Sequence, residues 1–244
     1  MTTASLSHPG LVRRNNEDCV FTDDVLGIYL LADGMGGHNA GEVASALALE
    51  AAHDCLKTAL AHAIPTDDDM PAILADAVDA ANDAVFKKSR TDLMLKGMGT
   101  TVVIAVIRGS CVHICHVGDS RAYYFTPHPP RLRQLTADQT TGDQLVRNGT
   151  LTREQVPERS WHTLTQAVGI AETLEPEYCR QELAEDDILL LCSDGLTDMV
   201  PDEGITGILA AEADPERCAE RLVDAALANG GRDNVSVVLV QIHG

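Results

Sequence analysis

The sequence predicts an α+β fold in which two mostly antiparallel sheets pack together and helices cover them from outside. Two helices follow early strands, a strand meander occupies the middle, and two helices precede a final strand. Helices therefore do not alternate one for one with strands, which makes a doubly wound parallel sheet a poor fit. Because 244 residues suit one large domain and no repeat or linker marks a boundary, residues 1–244 are predicted to form one domain.

The first half of the chain contains strand patterns followed by two long amphipathic helices. Residues 2–7 favour a first strand, and 18–22 with 26–32 favour a hairpin. Apolar residues then recur at the i, i+3, i+4, i+7 spacing through 44–60 and again through about 70–89. This spacing places one apolar stripe on each helix, so each helix is expected to cover a sheet.

The second half begins with strand periodicity. Apolar runs at 102–107, 112–117 and 122–125 predict a meander, and the proline-rich segment 126–133 is predicted to be a loop. Residues 138–160 are polar, lack an apolar stripe and are interpreted as a surface flap. The remaining predicted elements are a buried strand at 187–192, helices at 202–211 and 215–228, and a last strand at 235–242.

The charge of the chain excludes several classes of partner. Asp and Glu number 37 against 18 Lys and Arg, which gives a formal net charge of −19. Such a surface repels nucleic-acid phosphates and anionic lipid headgroups, so we expect neither nucleic acid nor a membrane as partner. It also repels a phosphorylated substrate at long range, so a phosphate site has to be made locally positive by metal ions or a placed arginine.

The cysteines and the chain start indicate a cytoplasmic protein. The 7 cysteines are odd in number and form no CxxC motif, as expected for reduced thiols. The start lacks a secretory pattern, and no apolar run approaches the roughly 18 residues that span a bilayer. A zinc site of Cys111, His113, Cys115 and His116 is disfavoured, because strand alternation separates His116 from the other three.

Acidic residues recur at the ends of predicted strands, next to glycine or another turn residue. Each alone is a common turn, but strand ends at one edge of a sheet can converge. Three or more close carboxylates are too costly to keep ionised without cations, and oxygen ligands select Mg²⁺ or Mn²⁺ over zinc. The positions are Asn16-Glu17-Asp18, Asp33-Gly34, Gly118-Asp119, Ser193-Asp194-Gly195 and Asp233-Asn234.

Arg13 precedes the first of these acidic positions. A guanidinium beside carboxylates that bind two metal ions can hold two phosphate oxygens in a bidentate fork. In isolation, a surface arginine paired with an acid is the simpler interpretation. Next to the acidic cluster, Arg13 is interpreted as the group that binds the substrate phosphate.

Eight segments, in order over essentially the whole chain, resemble one known family. They are GLVRRNNED at 10–18, ADGMGGH at 32–38, GTT at 99–101, VGDSRAY at 117–123, LTAD at 135–138, LTQAVG at 164–169, CSDGL at 192–196 and GRDNVS at 231–236. The family is that of the metal-dependent serine/threonine protein phosphatases, type 2C, in its compact bacterial form. The resemblance implies a four-layer α-β-β-α sandwich, with two central mostly antiparallel sheets flanked by helix pairs.

The resemblance also implies an activity, its cofactors and its site. It implies hydrolysis of phosphoserine and phosphothreonine in proteins by a metal-activated water, with two Mn²⁺ or Mg²⁺ ions per active site and room for a third. Arg13 and Asp33 are expected to be catalytic, with Arg13 on the substrate phosphate and Asp33 bridging both ions. Asp194 and Asp233 are expected to complete the first metal site. For the second ion, the implied ligands are Asp18 and the Gly34 carbonyl, with Glu17 as a further contributor. For the third ion they are Asp119 and Asp194. Asn234 is implied to support these ligands without binding an ion itself.

The sequence departs from the family pattern at two positions. Some members place a histidine directly after the Asp-Gly pair, where it can protonate the leaving alkoxide, whereas Met35 occupies that position here and His38 comes later. We expect either His38 or a metal-bound water to supply this proton. Gln139 follows Asp138 where members often carry histidine, which bears on substrate choice near the flap.

The expected partners are phosphorylated proteins and a cognate bacterial serine/threonine kinase, and the protein is expected to be a monomer. Three alternative functions compete with this interpretation. A pseudo-phosphatase is disfavoured because Asp33, Asp194 and Asp233 are all present, and a two-metal nuclease or other phosphodiesterase is disfavoured by the net charge of −19. A phosphatase of the same fold that acts on small phosphoproteins in sigma-factor switching stays open.

Overall fold

A computed structural model describes residues 1–36, 40–62 and 65–243. The strands are β1 (Thr2–His8), β2 (Asp18–Asp23), β3 (Ile28–Met35), β4 (Gly99–Thr100), β5 (Val102–Arg108), β6 (Cys111–Val117), β7 (Arg121–Pro127), β8 (Pro130–Gln134), β9 (Glu177–Glu182), β10 (Ile188–Cys192) and β11 (Val235–Gln241). The helices are α1 (Ala40–His62), α2 (Met70–Thr91), α3 (Thr141–Arg147), α4 (Glu158–Trp161), α5 (Asp194–Thr197), α6 (Asp202–Ala211) and α7 (Pro215–Ala228).

The strands form two antiparallel sheets. One has the order β1-β11-β10-β7-β8, and the other has the order β2-β3-β5-β6-β9 with the short β4 paired to β3. The first and last strands lie side by side, with Thr2 opposite Gln241 and His8 opposite Val235. The two ends of the described chain are therefore joined within one sheet.

Helices cover the outer face of each sheet and complete four layers. α1 packs on β3 and α2 packs on β6, whereas α7 packs on β1 and β11 and α6 on β8. The predicted α-β-β-α sandwich is confirmed. Among the described helices, none combines the length and apolar composition needed to cross a bilayer.

The hydrophobic core is divided among the three spaces between these layers. Central strands contribute to two of the spaces at once: in β5, Ile104 and Val106 face the α1–α2 layer, whereas Val103 and Ala105 face the other sheet. The space between α6–α7 and its sheet contains Leu190 and Leu222. Because both faces of these strands are buried, they are continuous apolar runs in the sequence and do not alternate with polar residues.

The prediction of a loop at 126–133 was wrong. β7 continues to Pro127, a cis peptide joins His128 to Pro129, and β8 begins at Pro130, which pairs with Pro127. β8 is an edge strand. Proline is tolerated at a sheet edge because its missing N–H need not join a ladder, so these prolines did not exclude a strand.

Two further segments have more order than their polar sequences indicate. The edge strand β9 was not predicted, and its burial alternates between half-buried and exposed residues. The proposed flap, 138–160, contains α3 and the start of α4, which contact each other. A Cβ on Gly142 in α3 would lie 2.7 Å from the Trp161 ring, so a residue without a side chain is needed for this contact.

We predict that Leu190→Ala lowers the free energy of unfolding by about 2–5 kcal/mol, because it leaves a cavity in a fully buried part of the core. Urea denaturation followed by circular dichroism measures the change. The matched control is Leu93→Ala, since Leu93 is exposed. Equal stabilities of the two variants would contradict the layered core.

Candidate metal centre

The ends of strands from both sheets bring five aspartates to one region. Asp18 begins β2 and lies opposite Asp33 in β3, so these two share one rung of the sheet. Asp119 follows β6, Asp194 begins α5 just after β10, and Asp233 precedes β11. Neighbouring strands are antiparallel, so the end of one and the start of the next meet at the same sheet edge.

A cavity of about 700 Å³ lies at this edge. The predicted site residues that line it are Arg13, Glu17, Asp33, Gly34, Asp119, Asp194, Asp233 and Asn234. Asp18 does not line the cavity, but it interacts electrostatically with both Asp33 and Asp194. The structure therefore brings together all of the predicted site residues that it describes. His38 lies outside the described residues.

Burial and mutual repulsion raise the pKa values of these carboxyl groups. For Asp33, burial is the largest cause, followed by repulsion from Asp18, and the pKa lies well above its usual value. For Asp194, burial again acts first, followed by repulsion from Asp119, and the pKa is also raised well above normal. Burial raises the pKa values of Asp18 and Asp119 to about 6. The centre therefore lacks enough positive charge of its own to keep these carboxyl groups ionised.

Two carboxylate oxygens in this centre lack a binding partner. Oδ1 of Asp18 and Oδ1 of Asp194 are buried and have no hydrogen-bond partner. Buried polar atoms are normally paired, and an unpaired buried carboxylate oxygen is costly. An all-oxygen donor set of this kind fits a hard divalent cation, which would bind these oxygens and offset the repulsion among the carboxylates.

Hydroxyl groups hold the aspartates in place from behind. Thr101 Oγ1 accepts a hydrogen bond from the backbone N–H of Asp33 at 2.9 Å, and Thr100 Oγ1 donates to the Asp33 carbonyl at 2.8 Å. Ser193 Oγ donates to Asp18 Oδ2 at 2.8 Å and accepts from the backbone N–H of Ser236 at 3.0 Å. These bonds fix the donor positions before any ion binds.

Asn234 joins three segments beneath the cavity. Its Oδ1 accepts from the backbone N–H of Glu17 at 2.8 Å, and its Nδ2 donates to the carbonyls of Pro9 and Asn15 at 3.0 and 2.9 Å. The backbone N–H of Asn234 also donates to Asp233 Oδ1 at 2.8 Å. Asn234 therefore positions the segment around Arg13 against the last strand, which agrees with the supporting role expected for it.

Close backbone packing explains why Gly34 follows Asp33. A Cβ at Gly34 would lie 2.1 Å from the Gly41 carbonyl oxygen and 2.6 Å from that of Glu17. The Glu17 carboxylate in turn lies against Gly41 in the first turn of α1, and burial is the main cause of its raised pKa. Only a residue without a side chain lets the backbone of β3 reach this depth at the cavity.

Arg13 is placed at the mouth of the cavity. Its Nη2 donates to Asp233 Oδ2 at 2.6 Å, while 51% of its side chain and 36% of the Asp233 side chain are exposed. Because the pair is solvated, its contribution to stability is small. The guanidinium also lies within electrostatic reach of Glu17 and Asp33.

Two further side chains at the cavity were not predicted from the sequence. Asp198 Oδ2 lies 3.4 Å from His162 Nδ1, and ligand atoms of His162, Asp194 and Asp198 all lie within 4.8 Å of one another. Asp198 could have been found, because it follows Asp194 by four residues and thus lies on the same side of a helical turn. His162 lies in a polar loop and carries no sequence signal.

The structure shows the surroundings of Met35 and Gln139, the residues at the two positions that depart from the family pattern. Met35 lines the cavity at the position where some relatives carry histidine. Gln139 Oε1 accepts from the backbone N–H of Gly118 at 2.9 Å, and the backbone N–H of Gln139 donates to the Gly118 carbonyl at 3.0 Å. Gln139 therefore supports the loop that carries Asp119.

Comparison with known proteins agrees with this geometry. The family model described as "Protein phosphatase 2C" matches residues 10–229. The chain is 39% identical over 244 residues to the serine/threonine protein phosphatase PstP of Mycobacterium tuberculosis (strain CDC 1551 / Oshkosh), covering 98% of this chain and 44% of that relative. It is 36% identical over 238 residues to the serine/threonine phosphatase stp of Listeria monocytogenes serotype 4b, covering 95% of this chain and 92% of that relative.

Solved structures show the same architecture. The catalytic domain of the serine/threonine protein phosphatase PstP, solved in complex with 2 manganese ions, superposes with a TM-score of 0.85 at 37% identity. The match covers 100% of this chain and 98% of that structure. A relative with the same architecture therefore binds manganese ions.

We predict that the metal-free protein loses stability as the pH rises from about 4 to above 6. The folded-state pKa values of Asp18 and Asp119, about 6, exceed the unfolded value of about 3.9, so protons bind the folded state more tightly. Their stabilising effect is complete below the unfolded pKa and is lost as the pH passes through the folded pKa. Urea denaturation in chelator at several pH values measures this loss, and Mn²⁺ should reverse it.

The control for this pH profile is a carboxylate-to-amide substitution away from the aspartate centre. Asp33→Asn removes one charge from the centre and should flatten the profile, whereas Asp224→Asn on the exposed face of α7 should leave it unchanged. Coincident profiles for the two variants would mean that repulsion in the centre does not limit stability.

Proposed function

This chain belongs to the protein phosphatase 2C family, and we propose that it removes phosphate from phosphoserine and phosphothreonine in proteins. The observation that carries the proposal is the meeting of Asp33, Asp119, Asp194 and Asp233 beside Arg13 at one cavity, with Asp18 acting electrostatically on Asp33. The chain spans 44% of the length of PstP and 92% of the length of the Listeria phosphatase stp.

We assign the metal ligands by the donor set. Asp33 is central because Asp18, Asp119, Asp194 and Asp233 all act on its charge. In our proposal Asp33 would hold one ion together with Asp194 and Asp233, and Asp33 would also hold a second ion together with Asp18 and the Gly34 carbonyl. Asp119 and Asp194 are proposed to hold a third ion. Mn²⁺ and Mg²⁺ both suit these oxygen donors, and such ions activate a water for attack on phosphorus.

The protein's own groups then bind and orient the phosphate. Arg13 offers two parallel N–H donors, a geometry that matches two oxygens of a phosphoryl group. Its partner, Asp233, is also one of the proposed ligands, so an ion held there would weaken the hold of Asp233 on the guanidinium and leave it available to substrate. Thr101 holds the Asp33 backbone, and Ser193 holds the Asp18 carboxylate, which keeps both residues oriented.

The charge distribution supports a protein monoester as substrate over a nucleic acid. With a net charge of −19, the surface gives no long-range attraction to a polyanion, whereas one phosphoryl group needs only the local charge of Arg13 and the ions. Such monoesters are made by serine/threonine kinases, so we propose that the protein opposes one. We also propose that the protein acts in the cytoplasm, where its 7 free cysteines would stay reduced.

We predict that Asp33→Asn abolishes hydrolysis of a phosphoserine peptide, because the shared ligand of both ions is lost. Phosphate release at saturating Mn²⁺ measures the activity, and a chelator should inhibit the unchanged protein reversibly. Asp224→Asn is the control and should keep full activity. Hydrolysis by the chelated protein, or faster cleavage of a phosphodiester than of the peptide, would contradict the proposal.

We predict that Arg13→Ala lowers kcat/KM for the phosphopeptide by about 10²-fold, the scale for removing one preorganised donor to a reacting anion. Arg13→Lys should recover only part of this loss, because an ammonium group cannot form the bidentate fork. Steady-state kinetics measure both. Arg14→Ala changes an adjacent exposed arginine and serves as control; equal values for Arg13→Ala and Arg14→Ala would remove Arg13 from the phosphate site.

A further inference from the structure

A second group of metal-binding side chains lies away from the catalytic cavity. Cys111 and His113 are on the face of β6 that is turned toward the helices, and Asp67 belongs to the connection between α1 and α2. Their ligand atoms all lie within 4.8 Å of one another. Both Cys111 and His113 are buried, whereas Asp67 is half-exposed and leaves the group open to solvent on one side.

His113 carries an unused ligand atom that points into this group. Its side chain is 0% exposed, and its Nε2 has no hydrogen-bond partner. Oδ1 of Asp67 lies 3.6 Å from Nε2, which is too far for a hydrogen bond. Two donors bound to one tetrahedral zinc ion at about 2.0–2.2 Å are themselves separated by about 3.3–3.6 Å, so this spacing is that of co-ligands.

The other nitrogen of the ring is already oriented. Nδ1 of His113 lies 2.8 Å from the hydroxyl oxygen of Tyr178. When Nδ1–H donates to this oxygen, Nε2 keeps its lone pair and is available to a metal. Metal-binding histidines are usually held by such a contact through the second ring nitrogen.

We propose that Asp67, Cys111 and His113 form a second metal site, which binds one Zn²⁺ ion. Sulfur, nitrogen and carboxylate donors in a tetrahedral arrangement suit Zn²⁺, and three protein ligands leave the fourth position for water. The catalytic cavity offers aspartate oxygens and no thiol among its described lining residues, so it suits harder ions. The two sites therefore differ in the ions they select.

The proposed zinc site and the catalytic cavity lie at opposite ends of one strand. β6 holds 7 residues from Cys111 to Val117, so at about 3.3 Å per residue its ends are about 20 Å apart. Asp119 follows the far end of the strand. Zinc at Cys111 thus occupies no ligand of the catalytic centre.

Arg180 is the positive group nearest the proposed site. Its Nη1 lies 3.2 Å from Asp67 Oδ2, which leaves Oδ1 of the same carboxylate facing His113. Binding of Zn²⁺ replaces the thiol proton of Cys111, which passes to solvent, and leaves a thiolate–zinc bond. The bound ion would fasten the connection between α1 and α2 to β6, and so stabilise the folded chain.

Cobalt absorption spectroscopy tests this site without relying on activity. The full chain is saturated with Mg²⁺ to occupy the oxygen-only centre, and Co²⁺ is then added as the probe. We expect a thiolate-to-cobalt charge-transfer band in the near ultraviolet that Zn²⁺ abolishes. Cys111→Ser should lose this band, whereas Cys179→Ser, the matched control on the adjacent strand, should keep it.

Thermal unfolding provides the second measurement. Zn²⁺ should raise the Tm of the unchanged protein and of Cys179→Ser, but not that of Cys111→Ser or Asp67→Asn. Asp67→Asn changes a half-exposed side chain and is expected to fold, as far-ultraviolet circular dichroism will verify. A charge-transfer band that survives in Cys111→Ser, or the lack of any band in the folded unchanged protein, overturns the proposal.

Discussion

Repulsion among buried carboxylates is the constraint on which the rest of this structure depends. Asp33 and Asp194 are surrounded by other acids, and burial with that repulsion raises their pKa values well above normal. A fold relieves such a conflict by separating the groups, protonating them or binding cations. Here the backbone prevents separation, because Thr101 and Ser193 hold the aspartate-bearing strands in register. Only the last two routes remain, and bound cations are the route that leaves the carboxylates ionised.

The two-sheet core stabilises the fold enough to tolerate the repulsion among the carboxylates. Strands such as β5 bury both faces, one against helices and one against the opposite sheet. The resulting apolar burial stabilises the strands along their length, so a destabilising cluster can be kept at their ends. Gly34 shows how tightly the edge is assembled, because even a methyl group there would collide with backbone from α1. The rigid core therefore holds the aspartates in fixed positions.

The sequence predicted the elements whose side chains repeat with a clear period, and it predicted which aspartates come together at the cavity. It did not predict β8 and β9, because edge strands are half-exposed and their residues, prolines in β8 and charged groups in β9, resemble those of loops. It also missed Asp67 as a neighbour of Cys111 and His113. That contact joins a helix connection to a strand more than 40 residues away, and no local pattern encodes such a distance.

The net charge of −19 makes the local charge around Arg13 important for an anionic substrate. The free energy of an anion rises as it approaches an acidic protein, until it reaches a region of opposite sign. Arg13 sits at the cavity mouth and is paired with Asp233, so an isolated arginine–aspartate pair there is close to neutral. In the proposed site, a cation held by Asp233 would offset its charge, which would then no longer cancel that of the guanidinium. The ions that would relieve the carboxylate repulsion would therefore also supply the positive region that a phosphate needs.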